Sequence, residues 1–180
     1  MPVGPFTAAV EMQDDATGRI GVYKKQVSFS DYRGSDLLIS DLKLSTGITP
    51  ASGRGPFVRE GLNVVPNPGR LYARGQLVYV YYEVYNLEMD EGGRTSYETL
   101  YEITPMGMPA LRNRRARRPD DMQTVMSFFE GEGTAREEAE YTALDTTDLE
   151  DGEYVLTVTL TDRHADTTVS KSVNFMVIEP

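Results

Sequence analysis

The chain has no cysteine, no tryptophan and a single histidine among its 180 residues. Without cysteine there is no disulfide, no thiolate nucleophile and no cysteine-ligated zinc, and the composition carries no mark of redox compartment. His164 stands alone in the turn DRHAD, which argues against a histidine-based triad and most zinc sites and fits an exposed turn residue. No apolar run approaches the length of a membrane-spanning helix, the longest strongly apolar stretch being LVYVYY at 77–82. The opening MPVGPFTAAVEMQDD lacks the basic start and apolar core of a secretory signal. Helical periodicity is nearly absent.

Charge is plentiful and one-sided. Acidic residues number 28 against 18 basic, a formal net charge of -10, which disfavours general affinity for nucleic acid or anionic membrane. The run RNRRARR at 112–118 holds five of the basic residues, inside a polar, proline-bearing stretch at 104–121 expected to be a mobile, solvated loop. Such a run can bind acidic partners, phosphate groups or nucleic acid, but no aromatics interleave with it and the surrounding sequence is acidic, which favours the solvated loop.

Alternation of period two dominates what remains. In EYVLTVTLTD, Tyr154, Leu156, Val158 and Leu160 share one face and threonines fill the other. DRHADT supplies turn residues, and VSKSVNFMVI returns with Val169, Val173, Phe175 and Val177 together, which predicts a hairpin. The opening stretch repeats this plan. Phe6, Ala8, Val10 and Met12 alternate with polar and small residues, a turn follows around Asp14, Asp15 and Gly18, and Tyr23, Val27 and Phe29 return. Gly4 and Asp14 match Gly152 and Asp162 at an offset of 148, whereas Lys25, Val27 and Phe29 match Lys171, Val173 and Phe175 at 146. The two offsets imply a duplicated hairpin whose first copy has a turn two residues longer.

Between the hairpins, DLLISDLKLS reads as two short extended segments leading into the linker TGITPASGRGP. QLVYVYYEVYNL is the strongest strand, expected to pair with TSYETLYEITP across the turn MDEGGR. QTVMSFFEGEG and AEYTALDTTDL are further strands. DLEDGEYVLTV carries Leu149, Gly152 and Tyr154 in the pattern of a corner whose tyrosine bonds back to the backbone, as at strand F of immunoglobulin-type sandwiches. The expected fold is therefore all-β: an immunoglobulin- or fibronectin-like antiparallel β-sandwich over 49–180, preceded by a partial sandwich repeat over 1–48 consisting of the extra hairpin and connecting strands. A closed barrel is the architectural alternative.

The stretches DLLISDLKLS, GLNVVPNPGRLYARGQLVYVYYEVYNL, TSYETLYEI and FFEGEGTAREEAEYTALDTTDLEDGEYVLTVTLTDR together resemble the C-terminal region of bacterial GWxTD domain proteins. They cover most of residues 30–165. The tryptophan motif that names the family is missing, so the resemblance implies a defining domain outside this sequence. It also implies export to the periplasm or cell surface and a non-catalytic accessory role, and it supplies no active-site residues.

Chemistry-bearing patterns are few. Glu83 and Glu102 lie in strong strands expected to be neighbours, which raises a glycosidase-type carboxylate pair. The acidic turns at 14–15, 89–93 and 148–151 raise calcium, though none has the density of a calcium loop; no cofactor and no metal is the plainer expectation. Tyr79, Tyr81, Glu83 and Tyr85 should stand together opposite the core face of their strand, an exposed stripe suited to a protein interface or to stacking a sugar, unless a loop or the first hairpin covers it. The function expected is a non-enzymatic structural or protein-interaction module, binding a protein or a second copy through a sheet face or edge strand, with neither nucleic acid nor a membrane span. A carbohydrate-binding module built on the tyrosine stripe is the alternative.

Overall fold

Alternation becomes strand over most of the described residues. The computed structural model describes residues 4–106 and 125–179, and among these there is no helix. The basic run 112–118 and most of the loop 104–121 lie outside the described residues. In order the strands are β1 (Gly4–Gln13), β2 (Ile20–Phe29), β3 (Leu38–Ile39), β4 (Lys43–Pro50), β5 (Val58–Arg59), β6 (Leu62–Pro66), β7 (Leu71–Ala73), β8 (Val78–Tyr85), β9 (Thr95–Pro105), β10 (Val125–Gly133), β11 (Glu138–Leu144), β12 (Gly152–Asp162) and β13 (Thr167–Ile178). They divide into two units, Met1–Ser35 and Asp36–Pro180.

The second unit is a β-sandwich. One sheet runs β10-β9-β12-β13-β7, the other β11-β8-β4-β6-β5 with β3 also on β8. Every pairing is antiparallel except β7 with β13. The central strands offer alternate residues to a shared interior: Val78, Val80, Tyr82 and Val84 from β8 meet Tyr97, Tyr101 and Ile103 from β9, Leu156, Val158 and Leu160 from β12, and Phe175 and Val177 from β13. The expected corner is present. Tyr154 Oη donates to the Glu150 carbonyl at 2.8 Å, over the buried Leu149.

Three expectations are corrected. Residues 36–48 do not go with the first hairpin, because β3 and β4 bond to β8 and β4 also to β6, so the boundary falls at Ser35 and the linker 46–56 begins as strand. β8 and β9 do not form a hairpin: they lie in opposite sheets. Their connection buries Leu87 in the core, and the Glu88 N–H donates to the Asp162 carboxylate of β12 at 2.6 Å, carrying the chain across the sandwich. A glycine-rich turn between two amphipathic strands suits either a hairpin or such an arch, and local sequence does not separate them. Finally, the two hairpin turns are equal in length. Phe6 faces Val27 and Tyr154 faces Phe175, the same separation, so the shared Lys-x-Val-x-Phe exit stands two residues out of register.

The first unit is the two-stranded sheet β1–β2. Its turn is fastened by Asp14, whose carboxylate accepts from the Ala16 and Thr17 amides at 2.9 and 3.3 Å. Asp162 does the same in the second hairpin, accepting from His164 and Ala165 at 2.9 and 3.1 Å. An aspartate that satisfies the amides two and three residues on is a local turn device, which is why both turns are legible.

Candidate functional site

The outer row of β8 is not the exposed stripe expected. Tyr81 has no exposed surface, and Tyr79, Glu83 and Tyr85 are half-buried. β4 runs alongside and sets the Lys43 ammonium 5.2 Å from the Tyr81 ring centroid, so that ring presents no face to a sugar. Around Glu83 the row closes into a clamp: Tyr81 Oη donates to Oε1 at 2.8 Å and Tyr85 Oη donates to Oε2. Burial pushes the Glu83 carboxyl up, but the two tyrosine hydroxyls and the charges of Lys43 and Arg59 outweigh it, leaving the group below its ordinary value. Burial and the same carboxylate push the Tyr81 phenol up. Glu83 is thus an ionised, fully engaged acceptor. Beside it a cleft of ≈ 380 Å³ is lined by Glu60, Glu83, Tyr85, Glu137 and Glu138.

Glu102 does not join Glu83. It projects from the outer face of the sheet opposite, beside Met126 and Thr157. Two carboxylates on the opposite outer faces of a sandwich cannot flank one glycosidic bond, so the paired-acid arrangement is absent. The acidic turns use their carboxylates locally, Asp14 on its own turn and Asp90 on the Arg94 amide at 2.8 Å. Among the described residues no group of three or more histidine, aspartate or glutamate side chains could hold a metal ion. His164 is exposed in its turn.

A polar cluster between the sheets was not anticipated. Tyr82 Oη and Tyr101 Oη share a hydrogen bond of 2.7 Å across the core, and Tyr97 Oη donates to the Glu140 carboxylate of β11. Burial pushes Glu140 up, opposed by the Tyr97 hydroxyl and reinforced by Glu138. Gly131 of β10 makes room, since a Cβ there would stand 2.3 Å from the Tyr97 ring. The available signal was Glu140 itself, which alternates in phase with Leu144 and so occupies an inward position.

An exposed apolar surface lies on the hairpin β1–β2. Phe6, Ala8, Val10 and Met12 share a face with Tyr23, Lys25, Val27 and Phe29, and Val10, Met12 and Tyr23 are 55%, 72% and 65% exposed. Phe6 and Phe29 lie against one another with ring centroids 5.5 Å apart, and Phe6 and Val27 are half-buried. On the sandwich, the outer face of β9–β10 carries a second exposed apolar spot at Met126 and Phe128. Compared with known families and curated proteins, the chain matches no family model and no curated sequence. No helix among the described residues is long and apolar enough to cross a membrane, which has no bearing on membrane β-barrels.

Proposed function

We propose that the chain is a non-catalytic β-sandwich interaction module and that hairpin β1–β2 is its partner-binding element. One observation carries the reading: an isolated two-stranded sheet carries an apolar face of seven side chains, five of them exposed to solvent, Ala8, Val10, Met12, Tyr23 and Phe29. Such a hairpin is marginal in water and gains stability by packing its apolar face on something else. The sheet order, the parallel edge strand β7 on β13 and the Tyr154 corner support an immunoglobulin-like assignment of the sandwich. The matched aspartate turns favour a repeated hairpin, and the register offset of the exit motif weighs against it. Placement on an exported bacterial protein rests on the resemblance to GWxTD domain proteins.

The test is chemical cross-linking in the source cells, comparing the native chain with Val10→Ser/Tyr23→Ser. Both positions are exposed, so the sandwich folds as before. A discrete cross-linked species that the double variant abolishes supports the reading. Persistence of that species in the variant, or its absence from the native chain, contradicts it.

A further inference from the structure

The hairpin's apolar face and the outer face of β9–β10 carry matching patterns of opposite charge. On the hairpin, the row Phe6·Val27 is followed by the row Ala8·Lys25. On the sandwich, the row Phe128·Leu100 is followed by Glu130·Glu98 on one side and Met126·Glu102 on the other. Rows on one sheet face repeat every second residue, roughly 7 Å apart in both surfaces. Laying Phe6·Val27 over Phe128·Leu100 therefore brings Lys25 to a carboxylate row in either strand direction, with the small Ala8 leaving space beside it. Arg163 bridges Glu98 and Glu130, yet one cation between two carboxylates leaves that row net negative. Lys25 needs such a partner, since a lysine in the middle of a face that becomes buried must be paired.

We infer that the occupant of the hairpin face is the β9–β10 outer face of a second copy of this chain. The inference rests on the interaction-module reading and names its partner. Because the two surfaces differ, the contact is heterologous: it closes as a reciprocal pair or grows as an open chain of copies.

Sedimentation equilibrium of the full chain tests it, with three variants. The native chain associates as its concentration rises. Lys25→Glu, which turns an attraction into a repulsion, weakens association about tenfold, and a charge reversal on the same chain in the row that Lys25 meets, Glu130→Lys in one strand direction or Glu102→Lys in the other, restores it. Phe128→Ser weakens it by a similar factor, and mixing the Lys25→Glu chain with the Phe128→Ser chain recovers one contact. Zero-length carbodiimide cross-linking of equal parts ¹⁵N-labelled and unlabelled chain then yields Lys25–Glu130 or Lys25–Glu102 peptide pairs of mixed label. A chain monomeric at every concentration overturns the inference, as do Lys25 peptide pairs among which none is of mixed label. Association indifferent to Phe128→Ser also overturns it. If Val10→Ser/Tyr23→Ser removes the cellular cross-linked species while Phe128→Ser does not, the interaction-module reading stands and only the second-copy partner falls.

Discussion

Hairpins β1–β2 and β12–β13 both start at a glycine with positive φ, place an aromatic two residues on, alternate apolar side chains and clamp their turn with an aspartate. Yet Val158 and Leu160 have no exposed surface, while Val10 and Met12 at the matching positions are more than half exposed. Asp162 is likewise fully buried, where Asp14 is in solvent. The same local code thus serves as the wall of a core in one unit and as an uncovered face in the other. Alternation and turn chemistry specify a hairpin; what specifies burial is the opposing sheet, and of the two hairpins β12–β13 has one within its own unit.

That difference is sharpest in the cores. Leu156→Ala removes a side chain with no exposed surface and is expected to cost about 2–5 kcal/mol in urea unfolding of the sandwich, whereas Val10→Ala is expected to change it by less than about 0.5 kcal/mol. Equal costs at the two positions would mean that the hairpin face is as buried in solution as the sandwich core. The turn aspartates rank next. Asp162→Ala strands the Glu88, His164 and Ala165 amides and should cost about 2–4 kcal/mol, while Asp14→Ala leaves the sandwich transition where it was. Tyr154→Phe, which deletes only the hydroxyl bonded to the Glu150 carbonyl, should cost about 1 kcal/mol in the same measurement.

The smallest effects concern two carboxylates of the sandwich whose shifts run in opposite directions. Glu83 lies below its ordinary value of 4.5, so its contribution to stability is present above that pH and is lost as pH falls through its folded value. Glu140 lies above 4.5, so its contribution is present below that pH and is lost as pH rises through its folded value. At pH 7, Glu83→Gln is therefore expected to lower the urea midpoint and Glu140→Gln to raise it. Below pH 4 the gain from Glu140→Gln should vanish. A pH-independent offset for either variant would assign the effect to packing instead of ionisation.

Much of the architecture was legible in the chain. The alternation of Tyr154, Leu156, Val158 and Leu160, the corner tyrosine and both aspartate turns are written in residues close together in sequence. What local sequence could not convey was which strands share a sheet. β8 and β9 look like hairpin partners because each is amphipathic and the turn between them is rich in glycine, yet their inward rows face one another across the core through Tyr82 and Tyr101. The candidate site suffered from the same ignorance. Tyr79, Tyr81, Glu83 and Tyr85 were placed on the correct strand and the correct outer row, but their burial depends on β4, whose Lys43 lies beside Tyr81 from 38 residues away in sequence. The role of Glu140 is not legible in local sequence because its partner Tyr97 belongs to the other sheet.

Amide hydrogen exchange of the full chain across a range of protein concentrations tests the central claim most directly. The account predicts that β12 and β13 are protected throughout, while the amides of β1 and β2 exchange rapidly in dilute solution and become protected as chains associate. Hairpin amides as protected as those of β12–β13 at the lowest concentration would show that β1–β2 is stable without a second copy, and would contradict it.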